Sequence, residues 1–220
     1  MPRTHPPHRP RRRTVRGFSL IEILIVILIL SFGLLGIAGL QATTAKYKIN
    51  SWARSAASVQ FSDLADRIRA NPRGAGVTIG TVPVVANGYA LADDWATQQA
   101  AALAIAQNCF TANCTEAQRA AFDMLSWRNN VRRMFPQGAG LVNVTLAGGG
   151  TNFTIANVNA TIAWFDRQFT QLDGSLDTSA VCPADPVALA ALPAAQRASC
   201  CPAVLAAPAG VRCTNVSFLP

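Results

Sequence analysis

The stretch RRRTVRGFSLIEILIVIL, residues 11–28, joins an arginine-rich segment, one glycine and the start of a long apolar run. The run covers residues 18–40, and Glu22 is its only charged residue. As a helix, these 23 residues would be about 35 Å long, enough to cross the ~30 Å hydrocarbon core of a bilayer. We therefore predict a membrane-spanning helix over residues 18–40.

The positive charge of the chain is concentrated before this run. Residues 1–17 contain six arginines and no acid. The rest of the chain therefore has 13 of the 19 basic residues and all 11 acidic ones. Arginines before the span and none shortly after it predict an N-terminus in the cytoplasm, with the rest of the chain exported. Because the exported part is nearly balanced in charge, the composition does not predict a nucleic-acid partner.

An ordinary secretory signal peptide does not explain the run. Its apolar part is about 7–15 residues long and is followed by a small-residue cleavage site, whereas here the candidate cleavage residue, Gly17, precedes the run. A carboxylate at mid-membrane costs about 2.5–3.5 kcal/mol, although near the interface Glu22 would cost little and need no explanation. Cleavage after Gly17 would give Phe18 an ammonium group one helical turn from Glu22, and the two charges would neutralise each other.

The residues RGFSLIE, followed by an unbroken apolar helix, resemble the class III signal of type IV pilins and pseudopilins. The resemblance implies that a membrane prepilin peptidase cuts after Gly17 and methylates the new amine of Phe18. It also implies that Glu22 meets the N-terminus of a neighbouring subunit during filament assembly.

Beyond Gln41 the sequence becomes amphipathic. Apolar residues recur at steps of four or three, which predicts one buried helical stripe. Asn71-Pro72 should end the helix, because proline disfavours a helical residue before it. We therefore predict one helix of about 50 residues, half anchor and half spine of the exported domain. The stripe consists of Ile49, Ala53, Ala57, Phe61, Leu64 and Ile68.

Two further phrases narrow the resemblance. GLLGIAGLQ, residues 33–41, and DLADRIRANPRG, residues 63–74, are similar to PilV-type minor pilins, also called type IV pilus modification proteins. Gly39 stands where many major pilins have proline, which also favours a minor subunit. We expect Asp66, Arg67 and Arg69 to form a solvated face with weak ion pairs rather than a site.

The exported part predicts an α+β fold. We expect an extended segment at 82–86, a weak helix at 94–107, and a better helix at 115–135, where Thr115 and Gln118 have capping-box spacing. Alternating stretches at 141–147, 152–158 and 159–166 predict antiparallel strands, with a turn at Gly148, Gly149 and Gly150. Trp164 and Phe165 should pack in the core or at a sheet edge.

The predicted organisation is that of a type IV pilin-like protein. It has a cleaved basic leader (1–17), a transmembrane segment (18–40), an amphipathic continuation of the same helix (41–72) and a periplasmic globular domain (73–220). In that domain, a small antiparallel sheet lies on the helical spine, and the C-terminal loops carry disulfides.

Six cysteines in an exported domain predict disulfides. Cys109–Cys114 is favoured by proximity, and adjacent Cys200 and Cys201 seldom bond each other because the geometry is strained. Two pairings of the other four stay open: Cys182–Cys200 with Cys201–Cys213, or the crossed alternative. A zinc site is the rival interpretation, but the spacing has no paired C-x-x-C units and no histidine is nearby.

Both histidines, His5 and His8, lie in the leader, so the cleaved chain would contain none. This excludes Ser-His-Asp, Cys-His and histidine–zinc chemistry from it. Asp93-Asp94 before Trp95 indicates a loop or a helix cap rather than a catalytic pair. We expect no enzyme activity, no cofactor and no metal.

The expected function is that of a minor pilin in pilus biogenesis, twitching motility or adhesion. Its expected partners are a prepilin peptidase, other minor and major pilins, the inner-membrane assembly platform and the bilayer. It would be anchored in the bacterial inner membrane by one span and later reach the cell surface in the pilus.

Two alternatives remain. A type II secretion pseudopilin should favour a calcium-binding acidic loop, and the C-terminal half has no dense acidic cluster. A DNA-uptake pilin would need a basic stripe, for which Arg128, Arg132 and Arg133 are the only candidates.

Overall fold

A computed structural model describes residues 17–78, 87–149, 152–171 and 173–220. Within its first helix, the side chains of residues 42, 43, 45–47, 49 and 50 are not described. The chain divides into two compact units, Met1–Lys48 and Ile49–Pro220. The extended segment predicted at 82–86 lies outside the described residues.

Helix α1 comprises Leu20–Ala70. Between Gln41 and Ala70 the sequence has neither glycine nor proline, the two residues that most disfavour a helix. The helix ends before Pro72, as predicted, and a 3-10 turn follows at Arg73–Ala75. The side chain of Ile49 is not described, but the other five members of the predicted stripe are buried: Ala53, Ala57, Phe61, Leu64 and Ile68.

Helix α2, Trp95–Ala100, is shorter than predicted, and the extension to Gln107 is wrong. Backbone carbonyls after Ala100 accept hydrogen bonds from side chains of the next helix, and not from the backbone amides of a longer α2. Arg132 Nη1 donates to the Ala101 carbonyl (2.9 Å), and Asn129 Nδ2 donates to that of Leu103 (3.2 Å). Tertiary hydrogen bonds therefore outweigh a helix propensity that depended mainly on alanine.

Helix α3, Glu116–Met134, confirms the capping box. The Thr115 hydroxyl accepts from the backbone N–H of Gln118, and the Gln118 side chain accepts from the backbone N–H of Thr115. These two bonds satisfy amide groups that have no partner within the helix. The predicted apolar face is buried: Ala120, Met124, Trp127, Val131 and Phe135.

Three antiparallel strands form the main sheet in the order β1-β2-β5. They are β1 (Ala139–Gly149), β2 (Asn152–Phe165) and β5 (Val211–Phe218). The two stretches predicted at 152–166 are one strand, and Gly149 pairs with Asn152 across the hairpin. The outer edge of β1 is covered, because Leu91 exchanges two backbone hydrogen bonds with Val142.

The C-terminal part contains short elements between β2 and β5. They are β3 (Val181–Cys182), α4 (Pro186–Ala191), α5 (Ala194–Arg197), β4 (Cys201–Pro202) and a 3-10 turn at Ala203–Leu205. Strands β3 and β4 pair in parallel. The long N-terminal helix, the further helices, the small antiparallel sheet and the C-terminal disulfides make this the predicted α+β fold.

A cluster of buried side chains lies on each face of the sheet. On one face, Trp127 lies at the centre of the core formed with α1 and α3, and its Nε1 donates to the Gln60 carbonyl (3.0 Å). Gly140 lies against this ring: an added Cβ would be 2.5 Å from Trp127 Cη2, so only glycine fits. On the other face, a second cluster packs under the C-terminal segment: Trp95, Ala139, Leu141, Ala163, Cys201, Leu205, Val211 and Cys213.

Candidate functional site

The proposed cleavage residues precede the first turn of α1. The Ser19 carbonyl accepts from the backbone N–H groups of Glu22 (3.1 Å) and Ile23 (3.3 Å), so Ser19 separates Gly17 and Phe18 from the first helical residue, Leu20. Phe18 is 79% exposed. Within the part of the chain that the structure describes, no heavy atom lies within 4 Å of the position that a Cβ on Gly17 would occupy. Both residues that flank the proposed cleavage bond are therefore exposed among the described residues.

Glu22 lies in the first turn of α1 and is exposed. A carboxylate here interacts favourably with the partial positive charge of the helix N-terminus. No cation forms an ion pair with it among the described residues. The carboxylate is thus available to a partner from outside the described residues.

The apolar run is uncovered in the first unit. Residues Leu20–Gln41 form the one described helical stretch that is long and apolar enough to cross a membrane, with a mean hydropathy of 2.9. Every large apolar side chain from Phe18 to Leu40 is between 46% and 91% exposed. Such a surface requires a lipid or protein environment rather than water.

A family model described as the prokaryotic N-terminal methylation motif matches residues 12–38. The match includes Gly17, Phe18 and Glu22. The chain carries this prepilin-type signal. The signal indicates a type IV pilin-like or pseudopilin protein, which implies processing by a prepilin peptidase and assembly with other pilin-type subunits. With the apolar helix, it also indicates membrane anchoring.

The match ends at residue 38, within the phrase at residues 33–41 and before the phrase at residues 63–74, and the motif it describes is not specific to PilV-type proteins. Comparisons with curated proteins and with solved structures gave no match.

Within that phrase, Arg67 does not lie on a solvated face as expected. Its Nε donates to Asp63 Oδ2 (2.9 Å) and its Nη1 to Asp123 Oδ1 (3.2 Å) on α3. Burial acts to lower the pKa of Arg67, but the hydrogen bonds and charges of Asp63 and Asp123 outweigh it and raise that pKa. The expectation holds for Asp66 and Arg69, which form an exposed pair at 3.0 Å.

Tyr89 joins the same network, which we call the Arg67 network (Asp63, Arg67, Asn71, Tyr89 and Asp123). The buried Tyr89 hydroxyl donates to Asp123 Oδ2 (2.7 Å) and accepts from Asn71 Nδ2 (3.3 Å). Asn71 Nδ2 also donates to the Glu116 carbonyl (2.8 Å). The network therefore joins the end of α1 in the second unit to α3 and to the loop that carries Tyr89.

Burial, together with the hydrogen bond to Asp123, raises the pKa of Tyr89 above its ordinary value of 10.0. The folded protein therefore keeps this phenol neutral at pH values where the unfolded chain ionises it, and stability should fall as the pH rises above about 10. Tyr47→Phe leaves Tyr89 as the only tyrosine. We expect the phenolate absorbance of this variant to rise only with unfolding, as followed by circular dichroism; a rise near pH 10 in the folded protein would contradict the network.

All six cysteines form disulfides: Cys109–Cys114, Cys182–Cys200 and Cys201–Cys213. The structure thus has the first of the two pairings left open, and each of the adjacent cysteines bonds to a different partner. Cys182–Cys200 fastens β3 to the residue before β4, and Cys201–Cys213 fastens β4 to β5. In the described part of the chain, no group of three or more His, Cys, Asp or Glu side chains could hold a metal ion.

Removing the Cys201–Cys213 disulfide should destabilise the protein more than removing the Cys109–Cys114 disulfide. Cys201 and Cys213 are separated by 12 residues and are each 3% exposed. Replacing both with alanine should lower the free energy of unfolding by about 3 kcal/mol, against about 2 kcal/mol for Cys109 and Cys114, which close a loop of 5 residues. Urea unfolding of the two double variants would measure the difference; equal or reversed losses would contradict it.

Asn215 on β5 has a structural role that no sequence pattern indicates. Its Nδ2 donates to the carbonyls of Arg197 (2.8 Å) and Cys200 (2.7 Å), and its Oδ1 accepts from the Thr161 hydroxyl (2.8 Å). It thereby ties the C-terminal segment to the sheet. Beside it, a cleft of about 1080 Å³ separates the sheet from α4 and α5.

The three arginines considered as a basic stripe have different environments. Arg128 is largely buried, its Nη2 lies 3.9 Å from Asp93 Oδ2, and burial lowers its pKa. Arg132 is half-buried and bonds to the Ala101 carbonyl, whereas Arg133 is exposed. Two of the three therefore hold the loop at residues 93–101 rather than project into solvent.

The structure also shows where three other residues of the second unit lie. Asp94 caps α2: its carboxylate accepts from the Thr97 N–H (2.7 Å), and the hydrogen bonds from Thr97 lower its pKa. Trp164 packs in the core with its ring centroid 5.7 Å from that of Phe135. Phe165 is half-buried at the second cluster.

Proposed function

We propose that the chain is a PilV-type minor pilin of a type IV pilus. It is stored in the inner membrane with its second unit in the periplasm, and it then enters or primes the filament. The observation that carries the proposal is the prepilin-type signal, whose cleavage residues and Glu22 are exposed at the start of an uncovered apolar helix. The role is structural and needs no catalytic residue or cofactor.

In the proposed mechanism, cleavage after Gly17 changes the charge at the helix start. The new ammonium group of Phe18 gives Glu22 of a neighbouring subunit a partner of opposite charge in an apolar environment. The apolar side chains of α1 then exchange contacts with lipid for contacts with other helices. Because both environments are apolar, packing and polar pairing, rather than the hydrophobic effect, would decide the register between subunits.

The Arg67 network supports the PilV-type assignment. The phrase at residues 63–74 supplies Asp63, Arg67, Asn71 and Gly74, and each has a specific place in the second unit. A Cβ on Gly74 would lie 2.3 Å from Asn71 Nδ2 and 2.8 Å from the Glu116 carbonyl, so glycine is needed there. The residues that carry the resemblance therefore take part in the packing of α1 against α3.

Two observations favour this role over the alternatives. A pseudopilin calcium loop needs free carboxylates, but Asp166 pairs with Arg212 (3.0 Å), and Asp173 bonds to its own loop through Ser175. A DNA-uptake pilin needs a free basic stripe, but Arg128 and Arg132 are engaged with the loop at residues 93–101.

Replacing Glu22 tests assembly separately from processing. Glu22→Ala should be cut and retained in the membrane at normal levels, since its side chain has no partner among the described residues. We expect it to fall at least tenfold in sheared filaments, because the pairing with a neighbour's ammonium is lost in an apolar environment. Immunoblots of membrane and filament fractions measure this, with Ser31→Ala as a control on the same helix. Unchanged Glu22→Ala in filaments would contradict the proposal.

A further inference from the structure

An aromatic cleft opens on the second unit near the start of its part of α1. The ring centroids of Trp52 and Phe135 are 6.2 Å apart, and those of Phe135 and Trp164 are 5.7 Å apart. Phe135 and Trp164 are buried, but Trp52 is 54% exposed. The cleft has a volume of about 440 Å³, and residues 166–168 form its opposite side. We call it the Trp52 cleft.

The charges at the Trp52 cleft favour an anionic partner. Asp166 is the only acid in its lining, and it is buried and paired with Arg212 (3.0 Å), whose guanidinium also lies 4.0 Å from the centre of the Phe169 ring. Arg167, in the lining, and Arg54, two residues beyond Trp52, are exposed. Neither has an ion-pair partner among the described residues. The cleft thus combines an exposed indole with uncompensated positive charge.

Its position in the chain keeps the Trp52 cleft close to a membrane. Trp52 lies 11 residues beyond Gln41, where the candidate span ends. Even a fully extended chain of that length reaches at most about 40 Å, so the cleft is tethered near the bilayer whatever the arrangement of the two units. Tethering raises the effective concentration for a second, weak contact. Tryptophan also favours the membrane–water interface, where its ring is in an apolar layer and its N–H is hydrated.

We propose that the Trp52 cleft docks on the surface of a bilayer that contains anionic phospholipid. The indole of Trp52 enters the headgroup layer, and Arg167 contacts lipid phosphate. The inference rests on the membrane-anchored subunit of the proposed function and is independent of filament assembly. It assigns to the second unit a membrane contact of its own, separate from the apolar span.

Tryptophan fluorescence tests the docking, because the chain has four tryptophans and none lies in the span. Trp95, Trp127 and Trp164 are 7%, 0% and 4% exposed, so Trp52 is the one that lipid can reach. The full chain would be reconstituted in vesicles of phosphatidylcholine and phosphatidylglycerol, with or without brominated phosphatidylcholine as a quencher. We expect bromolipid to quench the wild type, and Trp52→Phe to lose most of that quenching. Arg167→Gln should weaken docking about fivefold, as expected for one cation near an anionic surface.

Val59→Ala is the matched control, since Val59 is also an exposed apolar residue of α1 but lies outside the cleft. Bromolipid should quench the fluorescence of this variant as strongly as that of the wild type. Co-flotation with the vesicles separates two kinds of failure. Chain that floats without quenching, or whose quenching survives Trp52→Phe, overturns docking but leaves the anchor intact. Protection of Trp52 that depends on protein density rather than lipid charge overturns it in favour of a second copy. Chain that does not float contradicts the anchor itself, and the docking with it.

Discussion

Gly17→Val should abolish cleavage and leave all of the chain with its 17-residue leader. A glycine before the cut bond lets a peptidase approach the backbone closely, which a branched side chain prevents. No described residue crowds Gly17, and Gly17 precedes α1, so the substitution should not affect the fold. Intact-mass measurement of the membrane-extracted protein distinguishes the uncut from the cut chain.

Gly36→Ala is the control for this experiment. Gly36 also has open space around it, and alanine favours a helix more than glycine does. This variant should be cut normally, with Phe18 as its first residue. Cleavage between residues 17 and 18 in Gly17→Val would contradict the assignment of the signal, and loss of cleavage in both variants would show a general effect of altering the segment.

Asp123→Ala should lower the free energy of unfolding by about 3 kcal/mol, a typical cost of breaking a buried ion pair from one side. Asp123 accepts hydrogen bonds from Arg67 and from the Tyr89 hydroxyl, and its side chain is 12% exposed. Its loss leaves the 21% exposed side chain of Arg67 with Asp63 alone. Thermal unfolding of the full chain in detergent, followed by circular dichroism, should show a midpoint about 6–12 °C lower.

Asp66→Ala is the matched control for the Arg67 network. Asp66 belongs to the same phrase, but its pair with Arg69 is exposed on both sides (73% and 55%). Such a pair contributes about 1 kcal/mol or less, so the midpoint should change little. Equal losses for Asp66→Ala and Asp123→Ala would mean that the Arg67 network does not differ from an ordinary surface pair.

The sequence predicted those parts of the fold that depend on local patterns. The length of α1 was predicted from an apolar run, an amphipathic stripe and one proline, which follow one another in a single continuous segment. Helix α3 was equally clear, because Thr115 and Gln118 satisfy the first amide groups of the helix locally. Strands β1 and β2 alternate in polarity, and Gly149 at the end of β1 pairs with Asn152 at the start of β2.

Features that depend on distant partners were not predictable in this way. Arg67 was assigned to a solvated face because its partner Asp123 lies 56 positions away and only the fold brings them together. Strand β5 was missed because Asn215 interrupts its alternation, and this asparagine bonds to residues in α5 and at the nearby disulfide. Helix α2 ends early for the same reason, since side chains of α3 take its following carbonyls.

The most direct test of the proposed function is mass spectrometry of sheared surface filaments, searching for the peptide that begins at Phe18. A minor pilin should give this peptide with a monomethylated amine, which would establish both the cut after Gly17 and the presence of the subunit in the fibre. Methylated protein in membranes but not in filaments would contradict incorporation and favour a primer at the filament base or a pseudopilin. Finding only chains that retain residues 1–17 would contradict both the cleavage and the pilin function.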